Sequence, residues 1–330
     1  MILFKQKSTV YGITLALSSA VATGTFGIFL NYFSALGISE DVVGTFTPLI
    51  LFLFYLGVLL ITQPKALKLP KKRYYFTLLI CSGLVVSPLY IYSSIRSFNT
   101  LPIAVASLLD FSNAIVLVLL MRIFFKSKIT KEKLIASVIA LVGISLVLNL
   151  LGTETGAITS IGIFWGIINC FSLATAYLFD YYHITNSVSY LAYLVYSNLM
   201  GLILFSFKAS PIQVFQEFNA ASATAGSTLW LMLFGYALVL IISYGTVAVS
   251  YKYIEASTAS LTFVAEPATA ALMGFFILGQ QLSYPQLIGI GVTVCAIMYM
   301  QYVGNKADER ALKSQVSKIS ENRGPNYEGS

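Results

Sequence analysis

"TASLTFVAEPATAALMGFF", Thr258 to Phe276, sets a carboxylate and a proline, Glu266 and Pro267, side by side in an otherwise apolar run. In water the pair needs no explanation, but at the centre of a helix crossing a bilayer an acid costs about 2.5–3.5 kcal/mol on insertion scales. Composition identifies the solvent. The chain of 330 residues is 57% hydrophobic and only 10% charged, with a mean hydropathy of +0.81, whereas soluble domains carry about 25% charged residues. A soluble core could not absorb so much apolar surface. Apolar runs of about 20 residues, enough to cross a hydrocarbon core about 30 Å thick, recur along nearly the whole chain.

Ten such runs predict an all-α integral membrane protein with spans at 9–31, 42–62, 74–95, 101–124, 132–151, 158–180, 188–207, 229–251, 256–279 and 285–303. The connections are mostly short and polar, so consecutive helices should lie side by side as hairpins. The exception, "KASPIQVFQEFNAASATAGST" at 208–228, reads as a connection long enough to fold over one face. With a cytoplasmic N-terminus, 18 of the 20 lysines and arginines fall in inner segments, leaving Arg96 and Lys208 outside. This is the positive-inside pattern, and it places both termini in the cytoplasm. The formal charge of +7 is thereby a topology signal, and nucleic acid is not an expected partner. The first run is too long for a signal-peptide core, and Asn31, Tyr32 and Phe33 make a poor cleavage site, so it is expected to be retained. Such a bundle fits a bacterial inner membrane, with membrane lipids around it. The polar tail from Lys306 to Ser330 is expected to be disordered.

Sliding the chain against itself exposes a repeat. At an offset of 153, "AVASLLDFSNAIVLVLL" from Ala104 lies over "STASLTFVAEPATAALM" from Ser257, matching Ala106/Ala259, Ser107/Ser260, Leu108/Leu261 and Leu119/Leu272. The register continues at Leu134/Leu287 and Ile135/Ile288, and an offset of 150 pairs Gly12, Ile13 and Thr25 with Gly162, Ile163 and Thr175. The expected organisation is a first five-helix repeat over 1–152, a second over 153–305 and a tail over 306–330. Five is odd, so the second repeat enters the membrane from the opposite side. Inverted repeats of this kind build secondary transporters whose substrate site lies near the midplane, between the halves.

Small residues, an acid–proline pair and a turn follow one another in "EASTASLTFVAEPATAALMGFFILGQQLSYPQLIGIGV", Glu255 to Val292. Together with the five-plus-five layout over roughly 5–305, this stretch resembles the ninth and tenth helices of the drug/metabolite transporter superfamily, EamA type. Leu101 to Val147 is its first-half counterpart. Members usually carry Glu after the Leu-Gly near the end of such a helix, whereas Leu278 and Gly279 are followed here by Gln280. The resemblance implies a secondary transporter of small metabolites that uses no cofactor.

Among thirteen acids, Asp110, Asp180 and Glu266 lie within expected spans. At about 1.5 Å per helical residue, Asp110 is about 13 Å from the start of the fourth span and Glu266 about 15 Å from the start of the ninth. Both reach the midplane, from opposite directions. In repeat register Glu266 falls on Asn113 and Asp110 on Phe263, so the acids should lie one turn apart on symmetry-related helices lining one cavity. No lysine or arginine lies at comparable depth, and uncompensated acids in low dielectric bind protons or cations. Two readings stand for each. Asp110 lines the pathway or is a neutral carboxyl bonded to Ser107 or Asn113; Glu266 does the same or bonds to backbone freed by Pro267. Asp180, beside Tyr181, Tyr182 and His183, reads as an ordinary interfacial acid.

Tyr90, Trp165 and Tyr244 could present ring faces to a cation, and Asn169 is a candidate pocket residue. Asn198, also at mid-depth, should face the interior. Tyr74, Tyr75 and Tyr302 read as interfacial anchors. Pro48, Pro88 and Pro267 are either hinges of an alternating-access movement or static kinks. Cys81, Cys170 and Cys295, all inside spans, read as small buried residues, and with a single histidine no metal site is expected. No phosphate-binding Gly-Lys loop or G-x-S-x-G turn occurs, which argues against an ATP-driven pump and a serine hydrolase. The function these readings favour is proton- or ammonium-binding transport of small amine-bearing metabolites, as an exporter of amino acids or amines. The alternative is an uptake carrier for a cationic nutrient such as choline or S-adenosylmethionine.

Overall fold

The computed structural model of the chain describes residues 2–69, 71–79, 87–101, 103–127, 131–148, 159–186, 188–279, 282–296 and 298–299. The expected tail, Tyr302 and Cys81 lie outside the described residues. Every regular element among those described is helical. The first half holds α1 (Ile2–Gly24), α2 (Phe26–Ala35), α3 (Glu40–Thr62), a 3₁₀ turn (Pro64–Leu67), α4 (Lys72–Tyr75), α5 (Ser87–Thr100), α6 (Ile103–Phe111), α7 (Asn113–Phe125) and α8 (Lys131–Val147). The second holds α9 (Ser160–Thr185), α10 (Tyr190–Ser206), α11 (Pro211–Ala225), α12 (Ser227–Ser250), α13 (Ala256–Thr262), α14 (Ala265–Leu278) and α15 (Tyr284–Ala296).

Five stretches are long and apolar enough to cross a membrane: Thr9–Ala35, Asp41–Thr62, Ser160–Thr185, Ser227–Ser250 and Ala256–Ile277. The α10–α11 pair, bent by 77°, makes a sixth if counted as one span, and Leu134–Val147 and Tyr284–Ala296 are shorter apolar helices. The remaining two expected spans are interrupted: 101–124 divides at Ser112, and 74–95 runs partly outside the described residues. The bundle turns Phe76, Ile123, Phe124, Trp230, Phe276 and Ile277 outward. Water would reject such a surface, and hydrocarbon suits it.

One expected connection is corrected. Residues 208–228 form α11, started by a capping box in which the Ser210 hydroxyl accepts from the Gln213 N–H and the Gln213 side chain accepts from the Ser210 N–H. Pro211 at its first position is tolerated, because that N–H has no partner in a helix anyway. The helix does fold over one end of the bundle: Phe218 packs on Phe33 and Phe46, while Glu217 accepts from the Ser39 N–H and hydroxyl at the start of α3. Tyr74 is also corrected, being buried against Tyr182 and His183 rather than anchored at a surface. Cys170 is buried as expected, but Cys295 is exposed.

The halves interlock. The most extensive contacts join α1 to α12 and α14, and α9 to α5, α6 and α7; α3 packs along α10. Exchanging the halves maps this pattern onto itself. Glycine permits the close approach where α15 crosses α8. A Cβ at Gly289 would lie 2.5 Å from the Val147 nitrogen and 2.8 Å from the Gly143 oxygen, both backbone atoms that cannot yield. Gly289→Leu should therefore push α15 off α8 and destabilise by about 1–3 kcal/mol, read as a lower melting temperature in detergent; an unchanged melting temperature would contradict this packing.

Candidate functional site

Both acid-bearing spans break at their acids. In the first half α6 ends at Phe111 and α7 begins at Asn113, with three-residue hydrogen bonds across Ser112: Ser112 N–H to Leu109 O, 3.2 Å, and Ile115 N–H to Ser112 O, 3.0 Å. In the second, α13 ends at Thr262 and α14 begins at Ala265, with Phe263 N–H to Ser260 O, 3.2 Å, and Glu266 N–H to Phe263 O, 2.9 Å. Offset by 153, Ser112 falls on Ala265, so the two breaks occupy corresponding places. Pro267 explains the second. It stands in the first turn of α14, where a missing N–H is tolerated, and the carbonyl it leaves free, that of Phe263, is taken by the N–H of Glu266. The expectation that the Glu266 carboxyl would bond to this freed backbone is thus corrected.

The carboxyl of Glu266 instead faces the hydroxyl of Thr23 on α1, which itself donates to Ala20 O at 2.9 Å. Gly24 makes that possible, since a Cβ there would stand 2.7 Å from the Glu266 carbonyl oxygen and 2.6 Å from the Thr269 Cβ. Asp110 is held from the other side. Asn169 on α9 donates from Nδ2 to Asp110 Oδ1 at 2.7 Å, and Gly166, one turn earlier, lets α9 press against Leu109. Asn113, the expected carboxyl partner, donates to the Asp110 backbone oxygen at 2.6 Å. Each half's acid therefore faces a polar side chain on the first helix of the opposite half, and for Asp110 that side chain is its donor.

Asp110 and Glu266 lie within electrostatic reach of one another. Tyr90 and Tyr177 sense both, and Tyr244 senses Glu266 and Asp180. Tyr244 is 40% exposed in the midst of these groups, and both acids keep part of their surface accessible. Among the described residues no lysine or arginine pairs with Asp110, Asp180 or Glu266, and no group of three His, Cys, Asp or Glu could hold a metal.

Glu266, Asp110, Asn169, Tyr90 and Tyr244 thus lie within electrostatic or hydrogen-bond reach of one another, with Asn113 at the break of the first span. Trp165 stands apart, its ring against Tyr92 at 5.3 Å and Phe164 at 5.4 Å, with Arg96 over the Tyr92 ring. Asn198 bonds within its own helix, to Leu194 O at 2.8 Å. Pro48 sits inside the unbroken α3 against Gly201, and Pro88 is the second residue of α5. Three groups of this interior, Thr23, Tyr177 and Asp180, are not site candidates by sequence reasoning. Tyr177 and Asp180 follow Asn169 by 8 and 11 residues, a helical spacing that puts all three on one face of α9; Thr23 carries no comparable signal.

Asn169→Leu should strip Asp110 of its donor at a cost of about 1.5–3 kcal/mol, while Asn169→Gln should recover part of it. The melting temperatures of both variants in detergent measure this, and equal losses would show that only volume matters at 169.

The chain matches the family model described as the EamA-like transporter family over residues 10–149 and again over 160–302. It is similar in fold to a solved structure titled only "Crystal structure of protein", with a TM-score of 0.68 over 90% of this chain and 98% of the other, at 12% identity. No curated protein matches it.

Proposed function

Because the chain belongs to the EamA-like transporter family, a family of membrane proteins that carry small molecules, we propose that it is a secondary carrier of small amine-bearing metabolites. The observation that carries this reading is the pair Asp110 and Glu266, each partly accessible, within reach of each other's charge and without a basic partner among the described residues. Two carboxyls so placed attract an ammonium group or a proton. Tyrosine faces around them add cation–π attraction, and each ring also limits how much water accompanies the ligand. Asn169 and Thr23 hold the acids in position and leave accessible carboxyl surface for the ligand.

Transport by alternating access supplies the rest of the proposal. Two five-span halves, inverted with respect to one another, rock about a midplane site, with the breaks at Ser112 and at 263–264 as the places where each helix bends. The basic loops face the cytoplasm of a bacterial inner membrane, with both termini on that side. The favoured direction is export of amino acids or amines, a bound proton returning as the amine leaves; uptake of a cationic nutrient such as choline is the alternative.

Vesicles containing the protein and a pH dye, challenged with lysine, putrescine and choline against empty vesicles, test the reading. Choline carries no dissociable proton, so its entry in exchange for protons raises internal pH. Glu266→Gln should reduce transport at least about ten-fold, equivalent to about 1.4 kcal/mol, and abolish its pH dependence. An unchanged rate and pH profile in that variant would make the acid structural and remove this reading.

A further inference from the structure

Asp180 is an acid that the Glu266–Asp110 pair does not use. It lies on the face of α9 that carries Asn169 and Tyr177, 11 residues and about 16 Å beyond Asn169, toward the end of the bundle where Tyr74 and Phe125 pack on Tyr182 and Tyr181, beside the basic residues Lys71–Arg73 and Lys126. The hydroxyl of Tyr193 on α10 lies within hydrogen-bonding reach of its carboxyl. Tyr193 is buried, with the His183 ring stacked on it at 6.3 Å. Tyr251, also buried, lies within reach of the same charge and is 6.1 Å from Tyr181, edge to face.

Two cationic groups near Asp180 among the described residues are engaged elsewhere. Lys252, next to Tyr251, places its ammonium 4.3 Å from the centre of the Tyr190 ring. His183 has both ring nitrogens occupied, Nδ1 with Phe179 O at 2.7 Å and Nε2 with the Thr77 hydroxyl at 2.8 Å. Glu255, near Tyr181, adds a second negative charge at this end. Asp180 nevertheless keeps part of its surface accessible. Between it and Glu266 stands Tyr244, which senses both acids and is 40% exposed.

We infer that Asp180, framed by Tyr193 and Tyr251, is a second station for a cationic group, joined to the Glu266 site by a path along the exposed face of Tyr244. This rests on the reading of the Glu266–Asp110 pair as an amine site. A cation arriving from the basic-loop end meets the Asp180 charge before it reaches the midplane pair, and that charge can hold it because no cation among the described residues already does. Transfer in two steps follows: the ammonium leaves one carboxylate while the Tyr244 ring, within reach of both charges, still attracts it. Tyr193, within hydrogen-bonding reach of the Asp180 carboxylate, keeps it oriented, and the accessible part of that carboxylate is left for the ligand.

The test works without an identified substrate. In a chain with Cys81, Cys170 and Cys295 changed to Ser, Tyr244→Cys is reacted with a cationic and an anionic methanethiosulfonate of similar size, and the rate ratio is measured. The cationic reagent should react faster, and Asp180→Asn should cut the ratio about ten-fold or more, whereas Asp180→Glu should preserve it. The amide still accepts from Tyr193, so a structural role for Asp180 would leave the ratio unmoved. Glu266→Gln is run in parallel. A drop with Glu266→Gln but none with Asp180→Asn removes Asp180 from the path and leaves the amine site standing. No drop with either, or no reaction of the introduced thiol with either reagent, overturns both.

Discussion

A carboxyl in the middle of a hydrocarbon layer must find a hydrogen-bond donor inside the protein, and this requirement organises the whole bundle. Asp110 takes its donor from Asn169, and Glu266 faces the Thr23 hydroxyl, each on the leading helix of the opposite half. The halves cannot separate without stripping Asp110 of its donor, at a cost of several kcal/mol in low dielectric. Glycines at 24 and 166 let those leading helices come close enough. Interlocking contacts of α1 with α12 and α14, and of α9 with α5, α6 and α7, are the packing consequence of the same requirement.

The acids also sit where their helices are discontinuous. A break releases backbone groups that lipid could not satisfy, so it is tolerated only in a protein-lined interior. Here the released groups are recovered locally. Three-residue bonds bridge Ser112 and Phe263, and the Asn113 amide caps the Asp110 carbonyl. The result is a pair of helix ends meeting near the centre of the bundle with acidic side chains beside them, an arrangement suited to holding a small ion or an ammonium. Several buried acceptors and hydroxyls nearby, Asn113 Oδ1, Asn169 Oδ1 and Ser97 Oγ, have no hydrogen-bond partner among the described residues. The interior is accordingly polar beyond what packing alone requires.

At the far end, α11 seals the bundle with aromatic contacts rather than charge. Phe33, Phe46, Phe218 and Tyr236 pack ring against ring, with centres 5.1–6.4 Å apart. The ion pair between Lys208 and Asp41, at 3.6 Å and exposed, adds little to this. Tyr236 joins the seal to the site, since it lies within reach of Tyr244. The end near the basic loops is different in chemistry, with Asp180, Glu255 and several tyrosine hydroxyls.

Much of this was legible in the chain itself. Hydropathy alone required a membrane, because 57% hydrophobic residues have no other solvent. Repeat register led to the expectation that Asp110 and Glu266 lie one turn apart on related helices, and the structure brings the two acids within reach of each other's charge. What the tertiary structure decided was partnership. The donor to Asp110 comes from Asn169, 59 positions away, and the polar neighbour of Glu266 from the opposite end of the chain, in Thr23, and no periodicity within one helix can report a contact between two. For the same reason Trp165, an attractive aromatic in the sequence, packs with Tyr92 and Phe164 instead, while Asp180, interfacial by its position in the chain, turns to Tyr193 on the neighbouring helix. Depth along a helix follows from counting residues; which way a side chain turns is set by the neighbour that packs beside it.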